Sequence, residues 1–288
     1  MKLALGTVQF GMHYGIANQS GQVSLAEVGE VLTLARLNGI ADLDTAIAYG
    51  EAEARLGQIG VQGFRVVTKL PPMPADVADA GVWAKAQLAA SLQRMGKDSV
   101  YGLMLHRSVD LFGPQGPALL LALKEMQAQG LVQRLGVSIY APTELDAVMP
   151  LARWGLVQAP FNLVDRRLQT SGWLQRLNDL GVEVHIRSVF LQGLLLTPLD
   201  SLPPKFSPWL VLWQRWRAWQ VATACSALGA CLAFAQSFPE VDRLVVGVDG
   251  VSHLQGILAA LHEPVPTHWP DIASDDNRLV NPSWWAEL

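Results

Sequence analysis

Residues 100–140 read VYGLMLHRSVDLFGPQGPALLLALKEMQAQGLVQRLGVSIY. This stretch contains an apolar run, Val100–His106, then a segment with helical periodicity, Pro117–Gln129, and then a second apolar run, Arg134–Tyr140. Gly130 directly follows the helical segment, and glycine is common at that position because it adopts left-handed backbone freely. Strands that are apolar along nearly their whole length are typical of a parallel sheet with both faces covered. The stretch therefore predicts a strand, a crossover helix and a second, parallel strand.

The same alternation continues on both sides of this stretch. Eight short apolar runs are candidate strands: Leu3–Val8, Ala41–Ala46, Arg65–Leu70, Val100–His106, Arg134–Tyr140, Leu156–Asn162, Glu183–Phe190 and Arg243–Val248. Further segments with helical periodicity lie between them: Leu25–Leu37, Val82–Met95, Leu168–Leu180 and Val251–Leu261. Eight strand–helix units favour closure into a (β/α)8 TIM barrel of the α/β class, and we expect residues 1–288 to form one such domain. A doubly wound open sheet is the alternative, although no GxGxxG motif follows an early strand.

An irregular insertion rich in proline and tryptophan follows the seventh candidate strand. Trp209, Trp213, Trp216 and Trp219 are spaced by four, three and three residues. This spacing places the four indoles within about 120° of a helix circumference. Two interpretations are open: a helix that packs an aromatic face on the barrel, or a wall of the substrate pocket or a subunit contact.

The stretch Trp219–Pro239 is uncharged and long enough to suggest a membrane span. Its glutamine, serine and threonine residues favour instead one buried or half-buried helix of the barrel protein. Cys225 and Cys231 lie six residues apart in that helix, on different faces, without a CxxC or CxxH pattern nearby. The sequence therefore predicts neither a disulfide nor a zinc site.

The composition excludes several classes of protein. Half of the residues, 50%, are hydrophobic, only 16% are charged, and the net charge is −4. Disordered chains combine low hydrophobicity with high net charge, so this chain is expected to fold. Lys and Arg are scattered, which predicts no surface for nucleic acid or for an anionic membrane. The first apolar run is short and unlike a signal peptide, so we expect a cytoplasmic enzyme or binding protein.

Polar residues at the carboxyl ends of barrel strands are the candidates for chemistry, because barrel active sites assemble there. Asp44 follows the second strand, Tyr49 lies five residues later, Lys69 ends the third strand in RVVTKL, and His106 ends the fourth in YGLMLH. Taken singly, Asp44 is equally typical of a helix cap, Lys69 of a solvated strand end, and His106 of a half-buried core histidine.

Together these four residues form a chemical unit. A tyrosine has a pKa of about 10, which is too high for efficient proton donation near neutrality unless a neighbour stabilises the tyrosinate. Lys69 is suited to that role, and a carboxylate such as Asp44 within about 4–6 Å would keep the lysine charged. His106 would orient a substrate oxygen by a hydrogen bond. This set is suited to moving a proton to or from an oxygen on a carbon that undergoes hydride transfer.

The chain resembles the aldo-keto reductases at motifs that occur in order along nearly its whole length. They are GTVQFG near the start, DTAIAYG with Asp44 and Tyr49, TKL with Lys69, LMLH with His106, GVSIY, VQAPFN and a final VVGV strand. The resemblance implies a (β/α)8 barrel that binds an extended nicotinamide dinucleotide across its carboxyl face. It also implies hydride transfer between the nicotinamide and a carbonyl carbon while Tyr49 supplies the proton.

The resemblance assigns further residues to the cofactor. Gly6 and Thr7 belong to the GTVQFG motif, and Ser138 and Gln158 match positions that hold the nicotinamide carboxamide. The Asn that usually follows that serine is Ile139 here. After the seventh strand, Arg187 and Ser188 stand where the family commonly has a stacking aromatic residue and a serine, and a guanidinium plane also stacks on rings.

The segment after the eighth strand, GVDGVSHLQG, is expected to face the adenosine phosphates. Gly247 permits close backbone approach, and a helix beginning near Val251 would offer free N–H groups to a phosphate. The family often has Lys or Arg here for the 2′-phosphate of NADP, whereas this chain has Asp249 and His253. Asp249 would repel that phosphate or accept a hydrogen bond from a ribose hydroxyl. We expect NADP(H), with NAD(H) as the alternative.

Two other functions were weighed against a carbonyl oxidoreductase. A catalytically silent barrel that only binds cofactor or regulates a partner is the alternative that preserves the motifs. Metal-dependent hydrolysis would need clustered ligands, and only Asp44 and His106 qualify, so no metal is predicted. The expected partner is a small carbonyl or alcohol substrate. Its pocket would draw on residues near the strand ends: Met12, His13, Tyr14, Trp83, Arg107 and Phe112.

Overall fold

The structure is a computed structural model that describes residues 1–16, 18 and 21–288. Within those residues eight strands form: β1 (Leu3–Gly6), β2 (Asp42–Asp44), β3 (Arg65–Leu70), β4 (Val100–Leu105), β5 (Val132–Ser138), β6 (Leu156–Pro160), β7 (Glu183–Arg187) and β8 (Arg243–Gly247). Each strand pairs in parallel with the next, and β8 pairs with β1, which closes the sheet into a barrel. The predicted (β/α)8 fold is confirmed, and the open sheet is excluded.

Helices alternate with these strands. The described helices are α1 (Val8–Gly11), α2 (Leu25–Leu37), α3 (Ala52–Ile59), α4 (Ala80–Met95), α5 (Gly116–Ala128), α6 (Glu144–Val148), α7 (Arg167–Thr170), α8 (Trp173–Asp179), α9 (Leu210–Thr223), α10 (Ala227–Gln236), α11 (Val251–Ala260) and α12 (Asn277–Val280). Short 3-10 segments occupy Ser108–Phe112, Met149–Leu151, Leu191–Leu196, Leu199–Ser201, Pro204–Trp209 and Pro282–Trp284.

Local sequence explains where the longer helices begin and end. Ser24 caps α2 by accepting a hydrogen bond from the Glu27 backbone N–H, and Asp79 caps α4 in the same way. α4 ends at Gly96, which has a left-handed backbone with φ of 62°. The predicted helix over Leu168–Leu180 is interrupted instead. α7 and α8 are separated by Gly172, whose φ of 78° does not continue a right-handed helix.

The barrel interior is filled by side chains, and its amino end is held by ion pairs. Val67, Met104 and Leu156 form a separate apolar cluster of fully buried residues. Below them, Arg65 and Arg243 each donate a 2.7 Å hydrogen bond to Asp42 Oδ2. Because this end is packed and charge-paired, the open end of the barrel is the carboxyl end of the strands.

The insertion after β7 also differs from the sequence prediction. The single helix expected over Trp219–Pro239 is two helices, α9 and α10, bent by 92°. Cys225 lies in the break between them and Cys231 in α10, so the two cysteines do not share one helix, and both are free thiols. The break contains Ala224, which has a left-handed backbone with φ of 54°. In the described chain, no helix on its own is both long and apolar enough to cross a membrane.

The tryptophans of this insertion pack into the protein. Trp213, Trp216 and Trp219 are at most 8% exposed. Trp216 stacks on Trp219 with ring centres 5.5 Å apart, and its Nε1 donates to the Leu195 carbonyl oxygen. These three indoles are therefore buried in the hydrophobic core. Trp209 is only partly buried and contacts Phe206.

Candidate active site

A pocket of about 410 Å³ lies at the carboxyl ends of the strands. Ten of the thirteen predicted catalytic and cofactor-binding residues line this pocket: Gly6, Thr7, Asp44, Tyr49, Gln158, Arg187, Ser188, Gly247, Asp249 and His253. The other three, Lys69, His106 and Ser138, lie outside that lining. Lys69 and Ser138 are buried, and His106 packs against a lining residue. Of the candidates for the substrate wall, Tyr14 lines the pocket, whereas Arg107 pairs with Asp110.

The four candidate acid–base residues come together at the mouths of β2, β3 and β4. Lys69 Nζ donates to Asp44 Oδ2 at 2.6 Å and to the Thr45 carbonyl oxygen at 3.0 Å. The same ammonium lies 5.2 Å from the centre of the Tyr49 ring. The imidazole of His106 meets that ring edge-on, with centres 5.9 Å apart and planes at 81°. Within the described residues, the Tyr49 hydroxyl has no hydrogen-bond partner.

Burial sets the protonation of this group. Burial raises the pKa of the Tyr49 hydroxyl far above its usual value, the Asp44 carboxylate adds to that increase, and Arg187 opposes it. Tyr49 therefore keeps its proton at neutral pH. Burial, together with the nearby charges of Lys69 and Arg187, lowers the pKa of His106 to about 4, so the imidazole is neutral at pH 7. Burial also lowers the pKa of Lys69, while its ion pair with Asp44 favours the charged form.

The lysine does not contact the tyrosine hydroxyl in this resting geometry. Its hydrogen bonds go to Asp44 and Thr45, and burial dominates the pKa of Tyr49. Any stabilisation of a tyrosinate by Lys69 would therefore act through charge, since the ammonium lies 5.2 Å from the centre of the ring. The arrangement is that of a neutral donor with a cation nearby.

The carboxamide-binding candidates lie on adjacent strands. Ser138 on β5 and Gln158 on β6 are paired in register and are at most 3% exposed. Gln158 Nε2 donates to Asp44 Oδ1 at 2.6 Å. Because Asp44 also accepts from Lys69, one carboxylate links the acid–base group to the floor of the pocket.

Arg187 at the end of β7 brings a second cation into the pocket. Its Nη2 donates to the Ile139 carbonyl oxygen at 3.0 Å and its Nη1 to Ser188 Oγ at 3.3 Å. The guanidinium lies 4.5 Å from the centre of the Tyr140 ring. Among the ion pairs of the described residues, none includes Arg187.

The loop after β7 is strained where it lines the pocket. Ser188, Leu191 and Gln192 have positive φ values of 58°, 48° and 53° although none is glycine. Such backbone costs about 1–3 kcal/mol per residue and is concentrated at ligand sites. Gln192 Nε2 donates to the Tyr14 hydroxyl at 3.0 Å, which ties this loop to the loop after β1. Neither residue of this contact was predicted to bind the cofactor.

The loop after β8 differs from its expected form at the helix N-terminus. We expected free N–H groups at Val251, but the Val251 backbone N–H donates to Glu27 Oε1 at 3.2 Å. A side chain at Gly250 would place its Cβ only 2.3 Å from that oxygen. Glu27 comes from α2 and was missed, because nothing in the sequence relates it to a residue 224 positions away.

Asp249 does not cap α11, whose N-terminal flanking residue is Gly250 without a side-chain cap. The carboxylate lies 3.7 Å from His253 Nδ1 in the pocket lining. Burial raises the pKa of Asp249, and the charge of His253 opposes that increase. The adenosine end of the predicted site therefore carries two carboxylates, Glu27 and Asp249.

Glycines permit close contacts at both ends of the pocket. The Cβ of a residue at position 11 would lie 1.7 Å from the Tyr49 carbonyl oxygen, so only glycine fits there. At Gly247, a Cβ would lie 2.5 Å from Gln9 Nε2. The opposite atom of that amide, Gln9 Oε1, is buried without a hydrogen-bond partner in the described structure.

Two further observations concern the tryptophan insertion and possible metal ligands. The tryptophan insertion does not line the pocket; Trp213 and Trp216 wall a separate cavity of about 650 Å³, which shares only Leu196 with the pocket among their described lining residues. The described residues contain no group of three or more His, Cys, Asp or Glu that could hold a metal ion.

The fold and site define a class: a closed (β/α)8 barrel whose strand ends bring a protonated tyrosine to a buried Asp–Lys pair and a neutral histidine. The chain belongs to the aldo/keto reductase family, whose model matches residues 2–270. Members of this family are generally NAD(P)H-dependent oxidoreductases.

Solved structures show the same fold. One is aldo-keto reductase AKR11C1 from Bacillus halodurans in its holo form, with 18% identity and a TM-score of 0.74 over 92% of this chain and 88% of that one. Two from Pseudomonas aeruginosa, described as aldo-keto reductases, have 20% and 19% identity and TM-scores of 0.67 and 0.66. Each alignment covers 90% of this chain, and 88% and 89% of the respective relatives. No curated protein matches the chain by sequence.

Proposed function

We propose that this protein is an NAD(P)(H)-dependent oxidoreductase that reduces the carbonyl group of an aldehyde, ketone or aldose, with Tyr49 as general acid. One observation carries the proposal. Tyr49 lines the pocket, and its hydroxyl holds its proton because it is buried and has no hydrogen-bond partner within the described residues. A protonated, unpartnered donor in a pocket is available to a substrate oxygen.

The neighbouring residues support proton transfer from Tyr49. As the hydroxyl proton passes to the carbonyl oxygen, the Lys69 ammonium at 5.2 Å from the ring stabilises the tyrosinate that forms. Asp44 keeps the buried ammonium charged through their 2.6 Å contact. His106 is neutral and orients the substrate oxygen by donating a hydrogen bond. A nicotinamide dinucleotide, when bound, supplies the hydride to the carbonyl carbon.

The pocket has features that fit such a cofactor. Gln9 Oε1 is a buried acceptor without a partner in the described structure, and Gly247 leaves room beside it. The strained backbone at Ser188 and Gln192 faces the same groove. We assign the carboxamide end to Ser138 and Gln158, the strand-end positions to Gly6, Thr7, Arg187 and Ser188, and the adenosine end to Gly247, Asp249 and His253.

NADP(H) is the first candidate, because the family typically uses it. NAD(H) is the second candidate, and two carboxylates favour it. Glu27 already accepts the hydrogen bond from the Val251 N–H that a phosphate would use, and Asp249 lies in the lining nearby. Two negative charges about 4–6 Å from a dianionic phosphate would weaken its binding by roughly 1–4 kcal/mol each.

Carbonyl-dependent oxidation of NADPH and NADH tests the proposal. The purified protein is assayed over aldehydes, ketones and aldoses, together with the Tyr49→Phe variant. With a chemistry-limited substrate we expect Tyr49→Phe to lower turnover by about 10²- to 10⁴-fold with little change in cofactor Kd. Tyr101→Phe is the matched control, since the Tyr101 hydroxyl donates to Glu183 at the amino ends of β4 and β7 and Tyr101 does not line the pocket.

Two results would contradict the proposal in different ways. Near-normal turnover of Tyr49→Phe removes Tyr49 from the acid role. Cofactor binding without turnover of any carbonyl in the panel instead favours a silent, cofactor-binding or regulatory barrel.

A further inference from the structure

Arg187 is an uncompensated positive charge inside the candidate active site. Its guanidinium bonds two neutral oxygens, the Ile139 carbonyl at 3.0 Å and Ser188 Oγ at 3.3 Å. Lys69, in contrast, forms an ion pair with Asp44, in which Nζ lies 2.6 Å from Oδ2. No carboxylate of the described residues lies within ion-pair distance of Arg187, so the acid–base pocket carries one net positive charge from this side chain.

The position of this charge is fixed by its surroundings. The guanidinium is held over the Tyr140 ring at 4.5 Å, and the residue lines the same pocket as Tyr49, Asp44 and Gln158. A charge that is half-buried and held in place acts on ligands more strongly than one in bulk water, because little solvent screens it.

A hydride carrier of the nicotinamide type changes its ring charge during the reaction. The oxidised ring is a cation, and the reduced ring is neutral. To deliver hydride to a carbonyl that takes its proton from Tyr49, the ring has to enter the pocket that Arg187 lines. The pyrophosphate is the same in both forms, so its attraction to Arg187 cancels when the two forms are compared.

We propose that Arg187 makes this protein bind the reduced cofactor more tightly than the oxidised one, by repelling the cationic ring. The proposal rests on the proposed function above. Removal of the charge abolishes the discrimination, while replacement by another cation at the same place retains it. Arg187 therefore sets the affinity of the protein for the oxidised cofactor relative to the reduced one, in addition to any part it has in orienting the ring.

Binding measurements without substrate test this directly. Dissociation constants for NADPH and NADP⁺, and for NADH and NAD⁺, are measured by quenching of tryptophan fluorescence and by calorimetry, for the wild type, Arg187→Gln and Arg187→Lys. The ratio of oxidised to reduced Kd is expected to fall by about tenfold or more in Arg187→Gln, from charges about 5 Å apart in a partly screened site. Arg187→Lys is expected to keep most of the ratio.

The matched control is Arg217→Gln, which removes an exposed arginine of α9 that does not line the catalytic pocket. Its ratio is expected to equal that of the wild type. An unchanged ratio in Arg187→Gln, or an equal fall in Arg187→Lys, overturns the inference while cofactor binding and the proposed function stand. Failure of the wild type to bind either form of either cofactor overturns both.

Discussion

Replacing His106 tests whether the folded protein keeps this imidazole neutral. The quantity measured is the free energy of unfolding rather than turnover. Burial lowers the pKa of this imidazole to about 4, and Nδ1 is buried without a partner in the described structure. The unfolded chain has an ordinary histidine pKa of about 6.5. Between those two values the unfolded state binds a proton that the folded state does not. The free energy of unfolding therefore falls as the pH is lowered through this window.

The size of this effect follows from the two pKa values. The full difference between about 6.5 and about 4 corresponds to about 3 kcal/mol, of which about 2 kcal/mol is lost between pH 7 and pH 5. In His106→Gln the site has no proton to bind, so this component of the pH dependence disappears. The variant is less stable at pH 7 if the ring packing against Tyr49 is lost, but its stability falls less steeply on acidification.

The assay is urea unfolding of the wild type and His106→Gln at a series of pH values from 7 to 5. Other groups titrate in both proteins, so the difference between the two curves isolates His106. His262→Gln, at an exposed position just beyond α11, is the control and is expected to follow the wild type. Parallel curves for the wild type and His106→Gln would refute the claim that the folded protein holds this imidazole neutral.

Three further predictions concern the ion pair, the adenosine end and the insertion. Lys69→Met is expected to lower kcat/KM as much as Tyr49→Phe, and the double variant to be barely worse, because the two residues act as one unit; multiplying losses would show independent roles. Glu27→Gln is expected to tighten the binding of NADPH relative to NADH, so that the NADH Kd divided by the NADPH Kd rises by about tenfold. A constant ratio would show that Glu27 does not influence cofactor choice. Ala224→Gly is expected to raise the free energy of unfolding by about 1 kcal/mol, because glycine adopts the left-handed backbone without strain. Gly96→Ala is expected to lower it by about 1–2 kcal/mol for the opposite reason. Urea unfolding in which both variants change stability in the same direction would contradict this explanation.

The barrel was predictable because its strands are nearly continuous apolar runs separated by helices that end at glycine. The predicted strand over Arg65–Leu70 and helix over Leu25–Leu37 agree with the structure at both ends. Other predicted strands extend too far, for example to Phe190 where β7 ends at Arg187. At those ends the chain leaves the sheet to form the pocket, and apolar loop residues there look the same as strand residues in the sequence.

The break between α9 and α10 was not predictable from periodicity. Ala224 takes a left-handed backbone without being glycine, so no glycine marks the end of α9. The local signal is Ser226, which caps α10 by accepting a hydrogen bond from the Gly229 backbone N–H, and helical periodicity alone overlooks it.

The candidate site likewise contains residues that could be predicted from the sequence and residues that could not. Asp44, Lys69 and His106 were found because each stands at or next to a strand end in a motif, and Tyr49 because it follows Asp44 in DTAIAYG. Glu27 and Gln9 were missed because their role depends on contacts across the barrel, to Val251 and beside Gly247. That Arg187 has no counter-ion among the described residues is likewise visible only when the surrounding residues are in place.

The contact of Gly11 with the carbonyl oxygen of Tyr49 has a consequence for engineering. The first loop is an obvious region to randomise when a new substrate specificity is sought, since Tyr14 from that loop already lines the pocket. In a library that includes position 11, most variants are expected to be misfolded at this loop, because any Cβ there displaces the backbone that carries Tyr49. Diversity introduced at Met12 and His13 with Gly11 held constant would leave the proposed proton donor in place and vary only the approach to it.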